Sequence, residues 1–205
     1  MGEKRWRWGV LSTANIGRTR FIPALQSMSN VEVVAVASRS LQAAEVFAQE
    51  CGIPQAYGSY QELLEQPNID ILYNPTPNHL HVSLSIKALE HGKHVLCEKP
   101  IALTTHELDQ LIQAQQQYPL ARAMEGFMYR FHPQWRYICE LIRDKKIGEL
   151  THIHATFTYF NDDPANVRNQ DNLGGGALLD IGCYCVDVAK MVFNGIPKSC
   201  LLYTS

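Results

Sequence analysis

The sequence predicts an α/β protein in which a doubly wound parallel sheet is followed by the start of an α+β domain with an open sheet. Over roughly the first 120 residues, short apolar runs alternate with segments of helical length, which is typical of βαβ units. A turn of small residues, Ser12–Gly17, follows the first apolar run. The alternation stops near Arg130, and we divide the chain into predicted domains of residues 1–122 and 123–205.

Six strands are predicted in the first domain from short, mostly apolar runs, of which the second is rich in β-branched residues. They are Trp8–Leu11, Val31–Ala37, a short strand near Ala56 and Tyr57, Ile69–Tyr73, His94–Cys97 and Ala121–Phe127. The segments between them are predicted helices, some of which end at a glycine such as Gly52 or Gly92. These helices are Ile16–Met28, Leu41–Cys51, Tyr60–Glu65, His79–His91 and Thr105–Tyr118. Strands that alternate with helices in this way imply a parallel sheet, and right-handed crossovers then give it the doubly wound arrangement.

The second domain is predicted to begin with helix Pro133–Asp144, a long alternating strand, Leu150–Phe160, and a helix from about Ala177 to Phe193. One long strand cannot bury its face alone. We therefore expect this domain to be truncated at its C-terminus, with Ser199–Ser205 as a foreign tail. Because an incomplete sheet exposes a strand edge, we expect the 205-residue chain by itself to be poorly soluble or inactive.

Composition and charge limit the classes of function. The chain has 205 residues, of which 46% are hydrophobic and 19% charged, and its formal net charge is −2. This charge gives no electrostatic reason to expect nucleic acid or an anionic membrane as a partner. With no signal-like N-terminus and no Cys-x-x-Cys pair, we predict a cytoplasmic protein with reduced thiols. The pairs His79/His81 and His152/His154 lack further ligands at metal spacing, so no metal site is predicted.

The turn after the first strand predicts a dinucleotide cofactor. It occupies the place of the G-x-G-x-x-G fingerprint but keeps only the last glycine, Gly17. Small residues in this turn still let the backbone approach a pyrophosphate. The predicted contacts are Ser12, Thr13, Ala14, Asn15 and Ile16. An ordinary turn from strand to helix would look similar, so this turn alone does not specify a nucleotide.

The end of the second strand predicts which nucleotide binds. An acidic residue there would bind the ribose 2′-hydroxyl of NAD and repel a 2′-phosphate. The chain has Ser38 and Arg39 instead. A hydroxyl, a backbone N–H and a guanidinium suit a phosphate. We therefore predict NADP rather than NAD, with a solvated loop arginine as the alternative interpretation of Arg39.

Two further strand ends complete the predicted cofactor site. The loop after the fourth strand contains two prolines that force an extended turn, and we predict cofactor contacts from Pro75, Thr76, Asn78 and His81. The alternative for Asn78 is that it caps the next helix. Glu98 and Lys99 follow the fifth strand, at the sheet edge where open α/β sheets bind ligands. Both are predicted cofactor contacts, and a solvated surface lysine is the alternative for Lys99.

These segments together resemble the Gfo/Idh/MocA family of oxidoreductases, with the Rossmann fold that such a resemblance implies. The matching stretches are Gly9–Gly17, Thr76–His81, Gly92–Pro100, Glu125–Pro133 and Gly174–Asp187. The chain is most similar to the subgroup of NADP-linked D-xylose dehydrogenases, dihydrodiol dehydrogenases and glucose–fructose oxidoreductase. The resemblance implies a cis Pro100, a small sugar or polyol as substrate, and a homo-oligomeric full-length protein.

The resemblance also implies a catalytic set. Many family members carry an aspartate and a histidine four residues apart after a glycine-rich turn; here Asp180 and Tyr184 occupy these positions, and the subgroup uses tyrosine. A nearby ammonium lowers the pKa of a phenol, which is ordinarily about 10. Lys99 and Tyr184 are therefore the predicted general acid/base pair, with Asp180 holding a substrate hydroxyl or orienting the lysine. Weaker candidates for the substrate pocket are Arg130, His132 and Phe160.

The predicted function is an NADP-dependent oxidoreductase that transfers a hydride between the nicotinamide and a hydroxyl or carbonyl carbon of a sugar or related polyol. Two alternatives remain open. One is a regulatory protein that senses NADP on the same scaffold without turnover. The other is an enzyme like glucose–fructose oxidoreductase, which keeps its cofactor bound while it alternates between two substrates.

Overall fold

The computed structural model describes residues 5–201 and 203, and a six-stranded parallel sheet organises its first part. The strands are β1 (Trp6–Leu11), β2 (Val31–Ala37), β3 (Gln55–Tyr57), β4 (Ile71–Asn74), β5 (His94–Cys97) and β6 (Ala123–Glu125). Their order is β3-β2-β1-β4-β5-β6, with every neighbouring pair parallel. The chain order reverses between β1 and β4, where such folds bind ligands beyond the carboxyl ends of the strands. The predicted fold class is confirmed.

Helices follow the strands as the sequence predicts, with differences at their starts. They are α1 (Ile22–Gln26), α2 (Leu41–Cys51), α3 (Tyr60–Leu64), α4 (His81–Glu90) and α5 (Thr105–Gln117). Short turns of other helix types precede two of them: a π turn, Gly17–Phe21, before α1 and a 3-10 turn, Asn78–Leu80, before α4. Hydroxyls cap three of the helices by accepting the N–H three residues on, from Ser40, Ser59 and Thr104.

The sheet is buried on both faces. Val10 and Tyr73 belong to one buried apolar cluster, whereas Leu11 and Leu72 belong to another. Successive strand residues point to opposite faces, so β1 and β4 each contribute to both clusters. This explains why the strands read as nearly continuous apolar runs rather than alternating ones.

Lys93 is a buried lysine at the entrance to β5, with 4% of the residue exposed. Its Nζ donates to the carbonyl oxygens of Gln66 (2.5 Å) and Ile69 (3.0 Å). Replacing it with methionine keeps most of the apolar stem and leaves two carbonyls without their donor. We expect Lys93→Met to lower the free energy of unfolding by about 1–3 kcal/mol, measured by urea denaturation. The control Lys87→Met, on the exposed side of α4, should change it by less than about 0.5 kcal/mol; equal effects would contradict the role of Lys93.

The described chain divides into two compact units. The first comprises the described residues up to Gly126 together with Asn172–Gly174, and the second comprises Phe127–Asp171 and the described residues from Gly175 onward. The first unit extends past the predicted boundary at residue 122 because β6 pairs with β5. Residues 1–4, 202, 204 and 205, which include the ends of the predicted domains and part of the predicted foreign tail, lie outside the described residues.

The second unit contains two regular helices, α6 (Pro133–Arg143) and α7 (Cys183–Phe193). A π turn, Leu178–Gly182, leads directly into α7. The predicted strand Leu150–Phe160 is wrong: across the described residues, no strand forms between 150 and 160. A strand exists only as a member of a hydrogen-bonded ladder, and the described part of this unit offers no partner strand. Across residues 5–201 and 203, no helix is long and apolar enough to cross a membrane.

Candidate active site

The turn after β1 has a backbone conformation usually reserved for glycine. Ser12 has a φ of +79°, a region that other residues rarely adopt. Its N–H donates to the carbonyl of Ala37 (2.8 Å), at the end of β2. Its hydroxyl accepts from the N–H of Ala14 (3.2 Å) and donates to the carbonyl of Pro75 (3.4 Å). Ser12 therefore joins the loops that follow β1 and β4, at the point where the strand order reverses.

The rest of the turn leads into the first helical segment. The carbonyl of Ala14 accepts from the N–H groups of Gly17 (3.0 Å) and Arg18 (3.3 Å). Asn15 is exposed, and its side-chain oxygen accepts from Arg18 (3.0 Å). The π turn that begins at Gly17 is a type often found at functional sites. The structure thus brings the predicted contacts of this turn together at one edge of the sheet: Ser12, Thr13, Ala14, Asn15 and Ile16.

The end of β2 carries a cation where a carboxylate would select NAD. The N–H of Ser38 donates to the carbonyl of Tyr57 (3.1 Å), and Arg39 follows as an exposed residue. Burial raises the pKa of Tyr60, and the nearby Arg39 acts against this by favouring the phenolate. An exposed guanidinium and the absence of any acidic residue from Ser38 to Ser40 fit a 2′-phosphate. The residues at this edge therefore fit NADP.

The loop after β4 is held by buried polar contacts. Asn74 is fully buried and Thr76 is 5% exposed. The hydroxyl of Thr76 donates to Oδ1 of Asn74 (2.7 Å), while Nδ2 of Asn74 donates to the carbonyl of His81 (3.2 Å). Both side chains form hydrogen bonds within the loop. The Thr76 side chain therefore stabilises the loop rather than facing outward.

Asn78 does not cap the following helix, because α4 has no side-chain cap. Its Nδ2 donates instead to the carbonyl of Gly174 (2.7 Å) within the first unit. Gly174 has a φ of +79°, and a Cβ there would lie 2.6 Å from Cδ2 of Leu103 and 3.0 Å from Cβ of Asn78. The capping alternative is therefore wrong. A glycine at position 174 lets its backbone lie close to the side chains of Leu103 and Asn78.

His81 is a buried histidine that the sequence analysis assigned to the cofactor. It is 1% exposed. Its Nδ1 lies 2.7 Å from the carbonyl oxygen of Pro100, and its Nε2 lies 2.7 Å from that of Thr76. Burial lowers the pKa of His81, although the two carbonyl contacts act in the opposite direction. Both ring nitrogens lie within hydrogen-bond distance of carbonyl oxygens of the fold, and a contact between His81 and the cofactor stays a prediction that this packing does not favour.

Lys99 lies in a turn that is held by two hydrogen bonds of the preceding residue, Glu98. The N–H of Glu98 donates to the carbonyl of Asn74 (3.0 Å), and the hydroxyl of Tyr73 donates to Oε1 of Glu98 (2.6 Å). Burial and the Glu98 carboxylate raise the pKa of Tyr73 far above its ordinary value, which keeps the phenol protonated as the donor. The Lys99–Pro100 peptide bond is cis, as the resemblance implied. Sequence reasoning missed Tyr73, since it reads as an ordinary buried residue of a strand.

Asp180 belongs to the second unit and lies in the π turn before α7. The hydroxyl of Tyr159 donates to its carboxylate, and Nε of Arg168 donates to it at 3.1 Å. The carboxylate side chain is 12% exposed. Because α7 begins at Cys183, the five residues from Asp180 to Tyr184 span a π–α junction rather than a regular α-helix. The catalytic roles of Asp180 and Tyr184 stay a prediction.

Tyr184 lies among aromatic rings of the second unit. Its ring centroid lies 5.3 Å from that of Phe127, 5.8 Å from that of Tyr129 and 5.6 Å from that of Phe157. These separations are typical of favourable edge and offset aromatic pairs. The tyrosine also lines a cavity of about 450 Å³ whose other walls include Trp135. The packing therefore orients the ring.

The weaker candidates have structural partners or lie exposed. Arg130 Nε donates to Asp187 (2.8 Å), and the Tyr129 hydroxyl donates to the same carboxylate. His132 accepts from the N–H at residue 134 and so caps α6. Phe160 is 85% exposed. Arg130 and His132 therefore stabilise the second unit. Asp187, which was not predicted as a site residue, is the hydrogen-bond partner that holds Arg130.

The Asp187 carboxylate should stabilise the second unit in a pH-dependent way. Burial raises its pKa, but the hydrogen bonds from Arg130 and Tyr129 outweigh burial and bring the pKa below its ordinary value. Its contribution is therefore present above about pH 4 and is lost as the pH falls through the lowered pKa. We expect Asp187→Asn to lower the free energy of unfolding by about 1.5–3 kcal/mol at pH 7, and by less at pH 3. Urea denaturation checks this against the exposed control Asp162→Asn; a cost independent of pH would contradict it.

Two protein-family models match this chain, one over each part. A model described as an oxidoreductase family with an NAD-binding Rossmann fold matches residues 6–125, and a GFO/IDH/MocA C-terminal domain model matches residues 135–205. The chain belongs to the GFO/IDH/MocA oxidoreductase family. The predicted family is confirmed, and the matched ranges fall on the two units of the structure.

Several family members with named activities are similar to this chain. A trans-1,2-dihydrobenzene-1,2-diol dehydrogenase of Xenopus laevis is 43% identical over 192 residues, which cover 92% of this chain and 57% of the relative. D-xylose 1-dehydrogenase (NADP(+)) 2 of Haloferax volcanii is 39% identical over 191 residues, covering 93% of this chain and 58% of the relative. This chain therefore spans somewhat more than half the length of these relatives.

Among solved structures, the 3-ketoreductase KijD10 of Actinomadura kijaniata in complex with NADP and TDP-benzene superposes with a TM-score of 0.87 at 35% identity. The match covers 93% of this chain and 58% of KijD10. Structures of the same ketoreductase have also been solved with one tyrosine replaced by phenylalanine and with one lysine replaced by alanine or glutamate. The similarity supports both the fold and the type of nucleotide that the edge of the sheet fits.

Proposed function

We propose that this protein is an NADP-dependent oxidoreductase that moves a hydride between the nicotinamide and a hydroxyl or carbonyl carbon of a sugar or related polyol. The observation that carries the proposal is the Lys99 turn, a fixed ammonium-bearing turn at the carboxyl end of β5 in a GFO/IDH/MocA chain. A charged group there lies at the sheet edge that binds ligands in such folds.

NADP is the proposed cofactor. The residues that would hold it surround the carboxyl ends of β1, β2, β4 and β5: Ser12, Thr13, Ala14, Asn15, Ile16, Ser38, Arg39, Pro75, Thr76, Asn78, Glu98 and Lys99. Arg39 is exposed and could contact a 2′-phosphate. The similar xylose dehydrogenase is named as an NADP enzyme, and the similar 3-ketoreductase was crystallised with NADP. The bound nicotinamide would accept or supply the hydride.

Lys99 and Tyr184 are the proposed proton-handling residues. In alcohol oxidation the Tyr184 phenolate would take the hydroxyl proton of the substrate, and in reduction the phenol would return it. An unperturbed phenol has a pKa of about 10 and is a poor base at neutral pH. The Lys99 ammonium would favour the phenolate and donate to the substrate oxygen. Asp180 is proposed to orient these groups or a neighbouring substrate hydroxyl.

A sugar or polyol is the proposed substrate class. The similar proteins include a D-xylose dehydrogenase, dihydrodiol dehydrogenases and reductases of dTDP-linked deoxysugars. Each of these names describes a molecule with a hydroxyl or carbonyl carbon, the group whose interconversion the Lys99 and Tyr184 pair could assist. The protein is also proposed to form a homo-oligomer, which the exposed Phe157, Tyr159 and Phe160 of the second unit support and light scattering would test.

The deciding experiment is a panel of aldoses and cyclic polyols, assayed with NADP⁺ on the protein made from its complete reading frame. We expect turnover of at least one substrate, and a loss of about tenfold or more in kcat/KM for Lys99→Met. The control is Lys87→Met on the exposed side of α4. Unchanged turnover in Lys99→Met would overturn the assignment. Tight NADP binding without turnover would favour a regulatory protein, and nucleotide that survives gel filtration would favour an enzyme with a non-dissociating cofactor.

A further inference from the structure

The turn that carries Lys99 is anchored at both of its neighbours in the chain. Before it, the Glu98 carboxylate accepts from the Tyr73 hydroxyl (2.6 Å). After it, the carbonyl oxygen of Pro100 lies 2.7 Å from Nδ1 of His81. The next residue, Ile101, donates its N–H to Oε1 of Glu125 (2.9 Å). The position of the lysine backbone is therefore set by side chains from other strands and helices.

His81 differs from the other anchors because it holds two loops at once. Its second ring nitrogen, Nε2, lies 2.7 Å from the carbonyl oxygen of Thr76, in the loop after β4. In the same loop, the carbonyl oxygen of Pro75 accepts a hydrogen bond from the Ser12 hydroxyl. One buried imidazole thus connects the loop beside the nucleotide turn with the turn that carries the ammonium.

The chemistry of the two contacts explains why a histidine suits this position. A carbonyl oxygen only accepts hydrogen bonds, whereas an imidazole nitrogen donates when it carries a proton. Neutral imidazole donates to only one of the two carbonyls, so both contacts are hydrogen bonds only when the ring is imidazolium. The two carbonyls favour that form and act against the effect of burial on the His81 pKa. A ring with a nitrogen at each of two corners can span two carbonyls from a single rotamer, which a shorter amide side chain cannot do.

We propose that His81 is a positioning residue that couples the cofactor loop to the Lys99 turn through its contacts with Thr76 and Pro100. The inference rests on the proposed function, in which the loop holds NADP and the lysine acts on substrate. The Nε2 contact then serves nucleotide binding, and the Nδ1 contact serves turnover. His81 itself touches neither cofactor nor substrate.

Two amide variants separate the contacts, because the amide nitrogen of asparagine occupies the place of Nδ1 and that of glutamine the place of Nε2. His81→Asn keeps the donor toward Pro100, so we expect kcat within about threefold of wild type and a Kd for NADPH raised about fivefold or more. His81→Gln keeps the donor toward Thr76, so we expect an unchanged Kd and a kcat lowered about tenfold or more. His81→Leu should show both losses.

Hydrogen exchange of the backbone amides at residues 98, 99 and 101 gives a readout that does not require catalysis. We expect exchange at these amides to be faster in His81→Gln than in wild type, and near the wild-type rate in His81→Asn. A structural role alone would lower the melting temperature of both variants without this crossed pattern.

The outcomes are distinguishable from those of the proposed function. If the wild-type protein turns over none of the panel, the proposed function fails, while NADPH binding and amide exchange still decide the coupling. Equal losses of nucleotide affinity and turnover in the asparagine and glutamine variants would overturn the inference. So would wild-type behaviour of both.

Discussion

Replacing Tyr184 with phenylalanine is expected to lower kcat by about 10²–10⁴-fold, the range that a general acid or base contributes. The change removes one oxygen and keeps the ring that packs against Phe127, Tyr129 and Phe157. The cavity wall and the fold should therefore persist. Because the substitution removes only the oxygen proposed to carry the substrate proton, the Kd for NADPH should stay within about twofold. Steady-state kinetics and fluorescence titration with NADPH measure the two quantities.

The pH dependence of the same reaction provides a second readout for Tyr184. Alcohol oxidation should speed up as the pH rises through the pKa of the phenol, and Lys99→Met should move that limb to higher pH because the ammonium is gone. Tyr137→Phe is the matched control, since Tyr137 is 62% exposed on α6. A Tyr184→Phe enzyme that retained its kcat, or that lost it only through weaker NADPH binding, would remove the tyrosine from the mechanism.

Replacing Arg39 with alanine is expected to weaken NADPH binding by about 10- to 100-fold and to leave NADH binding within about twofold. A charged hydrogen bond to phosphate contributes about 1.5–3 kcal/mol, which corresponds to this range. NADH lacks the 2′-phosphate, so it does not use the guanidinium. Fluorescence titration of both nucleotides at fixed ionic strength measures the ratio.

The ratio of the two affinities matters more than either affinity alone. Arg39→Asp should reverse the preference toward NADH, because a carboxylate at the end of β2 suits a ribose 2′-hydroxyl and repels a phosphate. Arg136→Ala, an exposed arginine on α6, is the control for a general loss of positive charge. Equal weakening of NADPH and NADH by Arg39→Ala would mean that the arginine supports the loop rather than reading the phosphate.

Much of the first unit was predictable because its signals are local. The run of β-branched residues in β2 and the apolar run of β5 predict buried strands. Even the three-residue β3 was predicted, near Ala56 and Tyr57. Hydroxyl caps and Gly52, with a φ of +64°, mark helix ends within a few residues of sequence. Periodicity and caps depend on neighbours along the chain, so a sequence carries them directly.

The parts that sequence reasoning missed depend on distant partners. Asn78 looks like a helix cap, but its hydrogen-bond partner, Gly174, lies 96 positions away. His81 looks like a surface histidine next to a cofactor, yet the carbonyls that hold it follow from the path of two loops. The alternation of Leu150–Phe160 indicates a strand, but pairing needs a second strand that the described part of the second unit does not supply.

The serine at the start of the nucleotide turn bears on how fast a cofactor can bind. A glycine at position 12 would leave the turn free to sample many conformations, and binding would have to order it. Ser12 is instead held at a φ of +79° by contacts with Ala14 and Pro75, so the turn is ordered when the chain folds. Pre-organisation of this kind removes an entropic penalty from association. We therefore expect nucleotide capture at this turn to be governed by diffusion rather than by loop closure.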